Sequence, residues 1–331
     1  MQYRLLGNSG LAVSELCLGT MTFGNTTDEQ DSLRMVDRFV ELGGNFLDTA
    51  NVYVGGRSEE IVGKAIRSRR SELIVATKVR FPTASHPNGG GLSRKHIMDS
   101  IDASLTRLGT DYIDLYQVHT WDKATPIEET LRALDDLITS GKVRYIGCSN
   151  FYAWHLMKAL AVSDARQYAR FVSIQQQYSL VSREMDRELL ELCLEENIAV
   201  IPWAPIGGGF LTDRYGTTYP SEGRLANPNG GESSWAVRGT ERNFAIRDAV
   251  QKAAKELGRS TSQVALRWLI QRNGITSPIF GARTLEQFED NMGAIGWDMP
   301  STVWASLDEA SALSSEYPKR FIKKFSRGLN D

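Results

Sequence analysis

The chain has 331 residues, 41% of them hydrophobic and 24% charged, with a formal net charge of −2 at pH 7. That length suits one α/β barrel with insertions, and the near-neutral charge offers no basic footprint for nucleic acid and no pattern for a membrane surface. Cys17, Cys148 and Cys193 form no Cys-x-x-Cys pair and the four histidines lack a His-Glu-x-x-His spacing, so neither a disulfide framework nor a metal site is expected. Residues 1–20 carry Arg4 and Glu15 without a sustained apolar run, and no stretch of about 18 apolar residues occurs anywhere. A cytoplasmic protein without a signal peptide or membrane span is the resulting expectation.

In chain order, an opening hairpin turns at Asn8-Ser9-Gly10. Short apolar or β-branched runs then alternate with longer amphipathic stretches. The pattern predicts eight strands, at 14–18, 45–47, 73–77, 113–118, 143–148, 171–174, 199–202 and 277–280. Helices are predicted at 28–42, 94–108, 127–140, 185–195 and 262–272, with Pro126 at a helix start. Repeated β-then-α units without a long linker predict a closed (β/α)8 TIM barrel, one domain over residues 1–331, with the hairpin at its N-terminus and long loops at the carboxyl ends of the strands. The alternative, an open doubly wound sheet, usually carries Gly-x-Gly-x-x-Gly, and neither Gly89-Gly90-Gly91 nor Gly207-Gly208-Gly209 is such a turn. The longest loops are expected at 80–92 and 206–242, the second containing Asn227-Pro228-Asn229-Gly230-Gly231. Past Ser315 the tail turns basic and is expected to be irregular, lying at most over the barrel edge.

Four polar residues stand at or just beyond the carboxyl ends of predicted strands, where barrels keep their chemistry: Asp48, Tyr53, Lys78 and His119. Singly, each has an ordinary structural explanation as a turn residue, a packed aromatic, a surface cation or a core histidine. Together they suit proton donation to a carbonyl. A tyrosine titrates near pKa ~10, too high for an efficient acid at neutral pH, and a buried lysine beside it lowers that value. Asp48 would keep the lysine charged against desolvation, and His119 would hydrogen-bond a substrate oxygen.

These residues lie in segments that resemble the signatures of the aldo-keto reductase superfamily over nearly the entire chain. Gly44-Asn45-Phe46-Leu47-Asp48-Thr49-Ala50-Asn51-Val52-Tyr53 with Ser58-Glu59-Glu60 is similar to the first signature. Ala76-Thr77-Lys78 resembles the family's lysine segment, Tyr112-Ile113-Asp114-Leu115-Tyr116-Gln117-Val118-His119 its histidine segment, and Gly141-Lys142-Val143-Arg144-Tyr145-Ile146-Gly147-Cys148-Ser149-Asn150 a further signature. The resemblance implies a (β/α)8 barrel that moves a hydride from NADPH to an aldehyde or ketone. Tyr53 would be the proton donor, Asp48 and Lys78 the pair that tunes it, and His119 the group that orients the carbonyl oxygen.

The resemblance also implies a cofactor site. Ser149, Asn150 and Gln175 would meet the nicotinamide carboxamide, with Thr20, Met21 and Asp48 nearby, and Trp203 would stack on the ring where many members have tyrosine. Ala204, Pro205, Ile206, Gly207 and Leu211 would follow the pyrophosphate. Gly281, Arg283, Gln287, Asp290 and Asn291 would hold the adenosine end, Arg283 meeting the 2′-phosphate, with Asp290 replacing the usual glutamate. Met21, Phe23, Tyr53, Trp121 and Trp235 are the candidates for an apolar substrate pocket.

Two other functions are weighed. A strand-end lysine can form a Schiff base in aldolase-like chemistry, but Asp48 and Tyr53 at the spacing seen here speak against it. Some relatives of the family serve as cofactor-binding regulatory subunits of membrane channels, a role that needs little turnover. Neither the substrate nor the oligomeric state follows from the sequence.

Overall fold

The computed structural model describes residues 1–228 and 230–326, the side chain of Ser233 excepted. Asn229 of the long loop and residues 327–331 of the tail lie outside the described residues. The chain opens as an antiparallel hairpin of β1 (Tyr3–Leu5) and β2 (Ala12–Ser14), closed across the expected turn by Leu6 N–H donating to Leu11 O at 2.8 Å. The barrel strands are β3 (Cys17–Gly19), β4 (Phe46–Asp48), β5 (Ile74–Val79), β6 (Ile113–Val118), β7 (Val143–Ser149), β8 (Phe171–Gln177), β9 (Ala199–Trp203) and β10 (Ile279–Phe280). All pair in parallel, in the spatial order β10-β3-β4-β5-β6-β7-β8-β9. The seam between β9 and β10 is bridged by Val200 and Ile275, with Thr276 N–H donating to Val200 O at 2.9 Å. The result is a nearly closed (β/α)8 barrel.

Helices alternate with the strands: α1 (Glu29–Glu41), α2 (Arg57–Ile66), α3 (Arg94–Leu108), α4 (Ile127–Thr139), α5 (Ala153–Arg166) and α6 (Leu189–Glu195). Then come α7 (Trp235–Arg238), α8 (Glu241–Leu257), α9 (Thr261–Ile270), α10 (Leu285–Met292), α11 (Ser301–Ser311) and α12 (Lys319–Phe325). Their starts are set locally. Asp28 accepts from Asp31 N–H at 2.8 Å to cap α1, and Ser260 with Gln263 forms a capping box on α9. Gly109, left-handed at φ 61°, ends α3. Gly63 lets α2 approach α3, because a Cβ there would lie 2.6 Å from Leu108 O.

The core has two layers. Period-two alternation along the strands sends one set of side chains into the barrel, where Cys17, Phe46, Ala76, Leu115, Ala199 and Ile201 pack with Leu6 and Val13 of the hairpin. The hairpin therefore plugs the interior from its amino-terminal end. Arg4 fastens it, donating to Ile270 O at 2.5 Å and Ile275 O at 2.7 Å. The outer set packs beneath the helices.

Three expectations need correction. The predicted strand 14–18 is two elements, because Ser14 ends the hairpin with its N–H on Asn45 Oδ1 at 2.7 Å and Glu15 N–H turns back to Gln2 O at 2.9 Å. The predicted helix 185–195 begins as a separate 3-10 turn, Glu184–Asp186, where Arg183 grips Asp186 at 2.5 Å. The tail is not wholly irregular: α12 forms, and its Phe321, Ile322 and Phe325 are exposed instead of covering the barrel edge.

Candidate active site

In β5 the side chains alternate about the sheet. Thr77 points outward and donates to Glu59 Oε1 at 2.5 Å, which turns Lys78 to the barrel interior. There its Nζ lies 2.5 Å from Asp48 Oδ1, 2.8 Å from Thr49 O and 3.3 Å from the Tyr53 hydroxyl. The parallel register places Gln117 beside Lys78. Its amide Nε2 donates to Asp48 Oδ2 at 3.1 Å, and Gln175 Nε2 donates to the same oxygen at 2.8 Å. Both oxygens of a carboxylate almost wholly removed from water are thus satisfied, one by an ammonium and one by two amides.

Tyr53 reaches this group from the 3-10 turn Tyr53–Gly56 after β4, where Val54 and Gly55 adopt positive φ of 50° and 63°. A β-branched residue in that region marks backbone held by its surroundings. The His119 ring meets Tyr53 edge-on, with centroids 5.9 Å apart. A carbonyl oxygen between the two rings could take a proton from one and a hydrogen bond from the other.

The electrostatics differ in one respect from the sequence expectation. Burial raises the Tyr53 phenol above its ordinary value; Lys78 opposes that rise without reversing it. Lys78 shows the opposite balance: burial pulls it down, but Asp48, Tyr53 and their hydrogen bonds leave it above its usual value and charged. His119 is driven down to about 2, first by burial and then by Lys78 and Arg80, so its imidazole is neutral at physiological pH. Its Nδ1 is buried without a hydrogen-bond partner. The unfolded chain takes up a proton near pH ~6.5 that native His119 refuses, so stability should fall as pH drops below that value. Urea unfolding of the native chain between pH 7 and 5 is expected to show this loss, with a limiting slope of about 1.4 kcal/mol per pH unit for one proton. His119→Asn should lower the slope by that one-proton share, leaving what His96 and His155, also held down by burial, contribute; an unchanged slope would remove His119 as a cause.

Several of the residues expected at a cofactor adjoin this group. Asn150, at φ 53°, donates from Nδ2 to His119 O at 2.9 Å and to Ser149 Oγ at 3.0 Å, and its Oδ1 accepts from Trp203 Nε1 at 3.1 Å. The indole is thereby held beside Ser149 and Asn150. Thr20 is buried with its hydroxyl on Asp48 O at 3.0 Å, and Met21 is exposed at the rim. Beyond Trp203, Ala204 has φ 53°, Pro205 is buried and Ile206 half-buried, and Gly207, Gly208 and Gly209 all have positive φ. The Leu211 side chain is in the core and its N–H donates to Ile206 O at 3.3 Å, closing the glycine turn. After β10, Arg283 N–H donates to Gln287 Oε1 at 3.1 Å and Asn291 Nδ2 to Gly281 O at 3.3 Å, which folds this segment on itself, while Asp290 accepts from Gln263 at 3.0 Å.

The expected pocket residues fare differently. Phe23 must be corrected: its N–H bonds to Thr20 O at 3.0 Å, the resulting turn folds the ring inward, and the residue is fully buried in the core. Trp121 is half-buried and stacks flat on His155 with centroids 4.0 Å apart. Trp235 sits in an aromatic group with Phe210, Phe244 and Tyr219.

Two residues escape the sequence reading. Gln117 carries a signal, an amide inside an otherwise apolar strand. Arg224 carries none, since only the folded loop brings it to the site. Loss of solvent and then the nearby Arg283 hold its guanidinium below the usual value, while Tyr53 opposes them. Among the described residues no helix is long and apolar enough to cross a membrane, and no group of three or more His, Cys, Asp or Glu side chains could hold a metal ion.

The family model of the Aldo/keto reductase family matches residues 15–312. The chain belongs to that family. Among its relatives, the uncharacterized oxidoreductase YrpG of Bacillus subtilis (strain 168) is 37% identical, covering 93% of this chain and 95% of that protein. Versiconal hemiacetal acetate reductase of Aspergillus parasiticus is 34% identical, over 89% of this chain and 92% of its own. A probable voltage-gated potassium channel subunit beta of Arabidopsis thaliana is 35% identical, over 97% and 98%. As an aldo/keto reductase, the chain places its Asp48–Lys78–Tyr53–His119 cluster at the carboxyl ends of the barrel strands, the face on which such barrels carry their chemistry.

Proposed function

We propose that this aldo/keto reductase reduces an aldehyde or ketone to the alcohol, reversibly, using NADPH, with Tyr53 as proton donor. The observation that carries the reading is the hydroxyl of Tyr53 lying 3.3 Å from a buried, charged lysine with a neutral histidine ring against it. NADPH, when bound, supplies the hydride to the carbonyl carbon. The chain's own residues do the rest. His119 and Tyr53 hold the oxygen, and Tyr53 transfers its proton to it as negative charge develops there. Lys78, kept charged by Asp48, stabilises the phenolate left behind.

The fit of the cofactor rests on the polar and glycine-lined track from Ser149 through Gly209 and on two cations. Arg224 and Arg283 lie close enough to repel one another in the free protein, an arrangement relieved by a dianion such as the 2′-phosphate of NADP. Arg283→Ala is therefore expected to raise KM for NADPH by about 10-fold or more, consistent with a charge-assisted contact, and KM for NADH far less. Equal changes for the two cofactors would remove Arg283 from the phosphate.

The direct test is oxidation of NADPH against a panel of aldehydes and ketones, followed by loss of cofactor absorbance. Turnover supports the reading. Tight NADPH binding with negligible turnover across the panel favours the second one, a cofactor-binding regulatory subunit, which has the plant channel-subunit relatives behind it. A cytoplasmic location accompanies either reading.

A further inference from the structure

Arg80 follows the last residue of β5, two positions after Lys78, and its backbone takes a φ of 143°, in a region that favours glycine. Its carbonyl accepts Gly91 N–H at 2.8 Å, closing the base of the loop. Further rungs, Thr83 N–H to Gly89 O at 2.9 Å and Leu92 N–H to Asp122 Oδ2 at 2.9 Å, hold the loop in one shape. A cleft of about 450 Å³ lies within it, lined by Arg80, Pro82, Ser85, His86, Gly90 and Gly91 among others. The Arg80 guanidinium lies over the Phe81 ring at 5.4 Å, and Phe81 meets the His119 ring edge-on at 4.7 Å. One aromatic ring thus separates the cation from the proposed catalytic pair.

Beyond the Phe81 ring, the cation has no partner among the described residues. Arg80 Nε is buried without a hydrogen bond, and among the described residues no ion pair involves Arg80. Asp122, the carboxylate that feels its charge, is already taken by Leu92 N–H, by Ala124 N–H at 3.0 Å and by the Thr125 hydroxyl at 2.8 Å. A desolvated donor left unpaired is costly.

We propose that Arg80 and its cleft form an anion subsite, so that the preferred substrates carry a carboxylate remote from the reacting carbonyl. The inference rests on the reductase reading and narrows its substrate class. A guanidinium suits a carboxylate in geometry as well as charge, and this one stands a single ring away from His119.

The test compares 4-carboxybenzaldehyde with its methyl ester, in the native protein, Arg80→Gln and Arg80→Lys at low salt. The native protein is expected to favour the carboxylate in kcat/KM by about 10-fold or more, the range of a charge-assisted hydrogen bond. Arg80→Gln should collapse that ratio, chiefly through KM for the carboxylate, and Arg80→Lys should restore part of it. Because the quantity read is a ratio between two aldehydes in one sample, partial misfolding of a variant does not imitate the result. A native protein without preference, or a ratio unmoved by Arg80→Gln, overturns the proposal. If neither aldehyde is reduced, the reductase reading is left to the wider carbonyl panel, and the subsite is judged by titrating terephthalate against tryptophan fluorescence. Saturable quenching that Arg80→Gln loses would keep the subsite, and its absence in the native protein would overturn it.

Discussion

Tyr53→Phe is expected to lower kcat for carbonyl reduction by on the order of 100- to 10,000-fold, the contribution of a positioned general acid. Affinity for NADPH should be nearly unchanged, because the hydroxyl faces Lys78 and His119 and not the glycine track beyond Trp203. The pH profile sharpens the test. With the phenol raised by burial, Tyr53 stays protonated through neutral pH, so reduction should be flat there and fall only as pH climbs into the phenol's own range. The reverse reaction needs the phenolate and should rise over that same interval. A phenylalanine variant with near-native turnover, measured by stopped-flow at saturating cofactor, would show that the proton comes from elsewhere.

The second large effect belongs to Lys78→Met. Removing one member of a buried ion pair leaves the other without its counter-charge, typically at a cost of about 3–5 kcal/mol. Gln117 and Gln175 still donate to Asp48 Oδ2, which argues for the lower part of that range. A fall in Tm of roughly 4–6 °C by calorimetry corresponds to such a loss in a chain of this size. Activity should fall as well, since the phenol loses the group that most opposes its upward displacement. Linkage gives the sign of the pH effect. The native lysine, raised above its ordinary value, contributes stability that is full below pH ~10.5 and vanishes as pH rises through the native value. The methionine variant should therefore be penalised most at neutral pH and converge on the native protein in strong alkali. A variant as stable as the native chain at pH 7 would mean that the pair contributes nothing net.

Much of this arrangement was legible in the sequence because it is written in local alternation. The run Ile113–Val118 ends where β6 ends, and strand ends within a residue or two of their predicted places bring Asp48 and Lys78 to one face. What resisted reading depends on contacts between segments distant in the chain. Gln117 finds Asp48 across a neighbouring strand, and Arg224 finds Arg283 only through the folded loop. Phe23 misled because an aromatic beside a strand end looks the same whether its turn opens toward a ligand or folds into the core. The balance of forces on Tyr53 misled for a different reason: sequence displays the lysine that lowers its pKa but not the burial that outweighs it.

The seam between β9 and β10 bears on how the chain is made. Strand β3, near the start of the chain, finds its second neighbour only in Ile279–Phe280 near the other end, and Arg4 waits for the carbonyls of Ile270 and Ile275. During synthesis from the amino terminus, the backbone edge of β3 and the apolar interior around Leu6 and Val13 must stay uncovered until some 280 residues have emerged. An open edge of this kind invites pairing between nascent chains. A ribosome-bound chain arrested just before Ile279 should therefore be the species most dependent on chaperones, and one released a few residues past Phe280 the first able to close.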